Sequence, residues 1–174
     1  MKKYLYSLLL IAFILSPLEA YGVIQFEEYE WGSSEEEISK ILKTKGITDV
    51  EKEGYSLTDE VKVSYKKTDY YGKPCVVTLE ISNEFGLYQV FVDWGKLLDA
   101  KTFRESVKGN LLDTYGAPVE SDAGNIEMED ELYQAWVEGD SWAEGGFSIS
   151  LVGEYSASNA IGGFVSITYA DIDI

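Results

Sequence analysis

The sequence predicts an α+β fold: two successive α-βββ units, about residues 31–94 and 95–171, with an antiparallel sheet and both helices packed on one face. Three observations lead there. Apolar residues recur at helical spacing in two stretches, Ile38 to Leu42 and Phe103 to Tyr115. After each stretch come runs that alternate apolar and polar residues, and glycine- or proline-bearing turns separate those runs.

The chain opens on an address. Lys2 and Lys3 form a positive n-region, Tyr4 to Leu15 an apolar h-region, and Ser16-Pro17-Leu18-Glu19-Ala20 a helix-breaking stretch that ends in a small residue. That pattern is a secretory signal peptide, residues 1–20, cleaved after Ala20. A membrane anchor would need about 20 consecutive apolar residues, and Pro17 interrupts this run first. No cysteine near the junction offers a thiol for lipid attachment, so no stable membrane anchor is expected after cleavage and the protein is expected in the periplasm or outside the cell. Residues 21–174 then form a single domain, long enough to bury about two thirds of its unfolded surface.

Gly32-Ser33-Ser34-Glu35-Glu36-Glu37 opens the first helix with two overlapping capping boxes, Ser33 with Glu36 and Ser34 with Glu37. Ile38, Ile41 and Leu42 give one apolar stripe, Lys40, Lys43 and Lys45 suit the negative end of the helix dipole, and Gly46 stops it. From Tyr55 the period becomes alternating. Val61, Val63 and Tyr65 share a strand face, Asp69 to Lys73 makes a hairpin turn, Cys75 to Ser82 returns, and Asn83 to Gly86 turns into Leu87 to Trp94. Thr102 with Glu105 then caps a second helix bearing Phe103, Val107, Leu111 and Tyr115, ended by Gly116 and Pro118. Glu120 to Asp130 reads as a polar loop. Strands follow around Glu131–Glu138, Phe147–Val152 and Phe164–Ala170, the last two joined by a loop from Gly153 to Gly163. Trp31-Gly32 before the first helix is echoed by Trp94-Gly95 before the second.

Charge and missing residue types exclude much chemistry. The formal net charge is −17, and losing the leader's two lysines and one glutamate makes it −18. Nucleic acid and anionic membranes are thereby disfavoured, since both are bound through clustered Lys and Arg; a basic protein or a divalent cation is what such a field attracts. There is no histidine, which removes Ser-His-Asp and Cys-His catalysis and histidine metal ligation. Cys75 is the only cysteine, so no internal disulfide forms, and its place in the run Cys75, Val77, Leu79, Ile81 makes it core filler. The acidic set Asp122, Glu127, Glu129, Asp130 and Glu131 lacks calcium-loop spacing and reads as solvated. No metal and no cofactor is expected.

Aromatic residues make up 14% of the chain, and most fall on strands as packing residues. Tyr70 and Tyr71 at a hairpin tip, Trp142 between Gly139 and Gly146, and Tyr155 in the long last loop have a weaker claim to the core and are the candidate binding residues.

Trp31-Gly32-Ser33-Ser34 with Ile38 and Leu42, and Leu111 through Tyr115-Gly116-Ala117-Pro118 with Ala135-Trp136, resemble segments of secreted bacterial proteins of the β-lactamase-inhibitor-protein fold. The start of the first helix, Gly32-Ser33-Ser34 leading to Ile38, is also similar to that of the small outer-membrane-assembly lipoproteins, although this chain lacks their lipidated cysteine. The resemblance implies a fold used for protein contacts rather than chemistry. The expected function is a secreted, non-catalytic protein-interaction domain, inhibitor-like or immunity-like toward a basic envelope enzyme. The alternative is a carbohydrate- or peptidoglycan-binding module that uses the loop aromatics.

Overall fold

The structure is a computed structural model that describes residues 24–55, 59–127, 134–156 and 162–172; the expected leader lies outside them. Eight strands form one antiparallel sheet: β1 (Val50–Tyr55), β2 (Glu60–Tyr70), β3 (Lys73–Ser82), β4 (Gly86–Leu97), β5 (Glu120–Glu127), β6 (Gln134–Glu144), β7 (Phe147–Ser156) and β8 (Gly163–Asp171). Their lateral order is β1-β2-β3-β4-β8-β7-β6-β5. Helix α1 (Glu35–Thr44) precedes the first four strands and α2 (Ala100–Tyr115) the second four.

This corrects the expected class. The fold is dominated by a single sheet, and the two α-βββ units of an α+β protein are not what the chain builds. The strands absent from the sequence reading are the two sheet edges, β1 (VEKEGY) and β5 (ESDAGNIE). Residues 51–54 and 120–124 are all exposed, so neither edge carries the apolar alternation by which a half-buried strand is recognised. The polar loop expected over Glu120–Asp130 is therefore a strand as far as Glu127, and residues 128–130 lie outside the described ones.

Alternation does place the core. Pairing aligns Val63, Leu79, Val90, Tyr169, Ile149 and Trp142 across six strands, and all six are buried. A parallel row runs Tyr65, Val77, Val92, Ile167, Leu151 and Asp140, also buried. Onto this face pack Ile38 and Leu42 of α1 and Phe103, Val107 and Leu111 of α2, each worth ~1.5–3 kcal/mol when buried. The segment before α1 joins them. Phe26 sets its ring 5.3 Å from Tyr169 and 5.5 Å from Tyr70, the Tyr29 and Tyr65 hydroxyls lie 3.1 Å apart, and the Trp31 indole N–H donates to the Ile24 carbonyl at 2.8 Å. No helix among the described residues is long and apolar enough to cross a membrane.

Caps follow the sequence at α1 and depart from it at α2. The Ser34 hydroxyl accepts from the Glu37 N–H and the Glu37 carboxylate accepts from the Ser34 N–H, completing one capping box. Helix α2 starts earlier than expected, at Ala100 after Asp99, with no side-chain cap, so Thr102 and Glu105 sit inside its first turns. Two-residue hairpins close β2–β3 at Tyr71-Gly72 and β6–β7 at Gly145-Gly146, all four residues having positive φ, the geometry whose twist matches antiparallel strands.

Gly86 has φ +72°, and a Cβ there would overlap the Gly32 carbonyl. The close approach lets the Gly32 N–H donate to the Leu87 carbonyl at 2.9 Å and the Leu87 N–H to Ser33 at 2.8 Å, tying the start of α1 to β4. Gly46 has a similar φ of +73° with nothing near a Cβ. In urea unfolding, Gly46→Ala should cost only the left-handed strain of ~1–2 kcal/mol, and Gly86→Ala clearly more. Equal losses would mean the contact with Gly32 is not tight.

Candidate functional site

The row of apolar side chains that ends in Asp140 brings a carboxylate beneath α2. Arg104 meets it there. This is the chain's only arginine, and it is buried together with Asp140. One guanidinium nitrogen of Arg104 donates to Asp140 Oδ2, while Lys108 Nζ and Ser121 Oγ both donate to Oδ1, the lysine at 2.7 Å. The other guanidinium nitrogen reaches Glu105 at 3.1 Å and Glu138 at 3.5 Å. Gly153 makes this possible, because a side chain there would overlap the Arg104 stem and the Tyr155 phenol.

Burial alone would push the Asp140 carboxyl up, but the Lys108 and Ser121 hydrogen bonds and the Arg104 charge outweigh it and hold the group below its usual value. Both oxygens of Asp140 are engaged by donors, which ties the carboxylate to α2 and β5.

The four aromatic candidates are not brought together. Tyr70 and Tyr71 touch, with ring centroids 4.7 Å apart, and Tyr70 stacks on Trp94 while its hydroxyl lies 2.8 Å from that of Tyr169. Trp142 is not in a loop. It lies on β6, 2% exposed, and its indole N–H donates to the Gly116 carbonyl at 3.0 Å, fixing the end of α2. Tyr155 extends β7 rather than the last loop and is buried beside Arg104. Trp142 and Tyr155 thus lack the exposure on which their selection rested. Cys75 is buried on the helix-covered face, and burial pushes its thiol up to about 11.

The opposite face of the sheet is the surface that sequence reasoning missed. One row crosses all eight strands: Glu51, Ser64, Thr78, Phe91, Thr168, Ser150, Ser141 and Glu120. Rows on either side run from Glu53 through Lys62, Glu80, Gln89, Ala170 and Ser148 to Ala143, and from Lys66 through Val76, Asp93, Ser166, Val152 and Gly139 to Asp122. Both helices lie on the other side, as the Lys52 bonds to Glu35 and Ser39 and the Arg104 bond to Asp140 show. Among the described residues no element covers this face, and its side chains are half-exposed or exposed.

The open face is rich in hydroxyls and bears carboxylates at both ends. The Ser64 and Thr78 hydroxyls bridge neighbouring strands at 2.9 Å. Among the described residues, carboxylates Glu51, Glu53, Glu60, Glu80, Asp93, Glu120, Asp122 and Glu154 share it with Lys62, Lys66 and Lys96. Asp122 and Glu127, from the acidic set, lie on edge strand β5, and among the described residues no group of three or more His, Cys, Asp or Glu is placed to hold a metal.

No protein-family model matches the chain, and no curated protein or solved structure matches it either. Function is therefore argued from these surfaces.

Two outcomes test this description. Asp140→Asn takes the buried carboxylate from Arg104, leaving it only Glu105 and Glu138, and should cost ~3–5 kcal/mol at neutral pH. Because the folded pKa of Asp140 is lowered, its stabilisation is complete above the unfolded carboxyl value of ~3.9 and is lost as pH falls through the folded value. The gap between wild type and variant in urea unfolding should close on acidification; a gap that stays constant would contradict the assignment. Cys75 should resist a thiol reagent at pH 8 until the protein is unfolded, and rapid native labelling would contradict its burial.

Proposed function

We propose that the protein is a secreted, non-catalytic interaction domain that presents the open face of its sheet to a basic protein, acting as an inhibitor or immunity factor does, by occupying its partner's surface. The observation that carries this reading is the uncovered eight-strand row with a glutamate at each end and, between them, five serine and threonine side chains and Phe91.

Antiparallel sheets commonly leave one face to solvent, and along the middle of this one Ser64, Thr78, Thr168, Ser150 and Ser141 place hydroxyls rather than charges there. Small side chains let a partner approach closely, while the carboxylates select for positive charge and speed encounter. The saturated Asp140 supports a structural rather than a reactive role for the one buried charge cluster. Export is supported by the composition of the first twenty residues.

A photo-crosslinking residue placed at Thr168, in the centre of the open face, should capture one basic protein in cells that make this one. The yield of adduct should fall steeply when salt is raised before irradiation, since exposed charges are screened beyond ~8 Å at physiological ionic strength. The same residue at Leu112, exposed on α2, should capture nothing. Adducts from Leu112 alone would overturn the reading.

A further inference from the structure

Where β3 leaves β4 the sheet opens. The two strands pair only as far as Val76 with Asp93, although β3 runs on to Lys73 beside β2. Register shifts in β2–β3 between Lys67 and Tyr70, and in β4–β8 between Asp93 and Lys96, flank the gap, and Pro74 has no N–H with which to bridge it. The result is a hollow of about 410 Å³ whose lining includes Lys66, Pro74, Cys75, Val76, Asp93 and Trp94; this is within the size range of ligand pockets. Bulges of this kind recur beside functional sites because they re-aim side chains.

The walls are mainly apolar, and Val76 is 40% exposed. The charges run against the balance of the chain, with two lysines and one aspartate. Lys67 is matched by Glu27 at 2.5 Å, and Asp93 accepts the Gly95 N–H at 2.7 Å. Lys66 makes no ion pair among the described residues; Asp49 and Glu51 line a smaller hollow beside it without bonding to it.

We infer that this hollow binds a small carboxylate with an apolar tail, the tail lying against Pro74, Val76 and Trp94 and the carboxylate meeting the Lys66 ammonium. A neutral apolar molecule would bury the same surface but leave Lys66 unmatched, and one with an ammonium head would set like charges together. Such binding is independent of any protein on the open face, so the two readings fail separately.

The test titrates the isotope-labelled mature protein with octanoate, 1-octanol and octylammonium at neutral pH, below micelle-forming concentrations, following backbone amides by NMR. Octanoate should shift Lys66, Cys75, Val76 and Trp94 and bind about fivefold tighter than octanol. Lys66→Gln should remove that preference and leave octanol binding unchanged, while Val76→Ser should weaken both ligands. Both side chains are exposed, so neither change removes a core contact. Lys43→Gln, which alters net charge equally on α1, should change nothing.

Each other outcome counts against the proposal. Equal binding of octanoate and octanol in the hollow overturns the carboxylate assignment, as does octylammonium binding there most tightly. A Lys66→Gln variant that keeps the preference refutes the role of Lys66. Shifts elsewhere, or none in the hollow with any of the three ligands, overturn the site itself.

Discussion

The pairing of β4 with β8 is the constraint on which the structure depends. Each helix is followed by a four-strand meander, and the last strand of one meander lies against the last strand of the other. Val90 faces Tyr169 and Val92 faces Ile167 across that junction, and all four are buried. These residues make the apolar rows continuous from β2 to β6. Divided there, each half would have one short helix over four strands and an open hydrophobic edge at its centre, too little to exclude water from its core.

Continuity of the sheet also separates its two faces. Side chains alternate between faces along regular strand, so once the register of β4 and β8 places Val92 and Ile167 under the helices, Phe91 and Thr168 must point away. The covered side takes most of the aromatic and aliphatic residues, and the open side carries chiefly serine, threonine and carboxylate with Phe91, Val76 and Val152 among them. Arg104 and Asp140 mark the outer limit of the apolar row: where β6 runs out of hydrophobic partners, a buried ion pair with added hydrogen bonds from Lys108 and Ser121 takes over. Such a pair adds little net stability compared with a hydrophobic one, yet it is costly to break, and so it fixes how α2 is seated.

Much of the framework was legible in the residues. Helix α1 carried its own cap, stripe and stop, and strands β2, β3, β4, β7 and β8 showed alternation, since one face of each is buried. The edges did not, because Glu51, Glu53, Glu120 and Asp122 meet water and leave no period to detect; missing them turned a single sheet into two smaller α-βββ units. Trp142 was misread for a different reason. Its flanking glycines suggested a loop, whereas Gly145-Gly146 is a tight hairpin that keeps Trp142 on a strand. The pairing of Arg104 with Asp140, 36 residues apart, had one available signal: among many lysines this is the single arginine. The open face was hidden because its row is assembled from eight strands, and no local segment contains more than one of its members.

Native-state hydrogen exchange under increasing urea measures the dependence on the β4–β8 junction most directly. If the sheet is one cooperative unit, core amides of β2–β4 and of β6–β8 converge on a common opening free energy equal to that of global unfolding. Two separate convergence values, with one meander exchanging while the other stays protected, would contradict it.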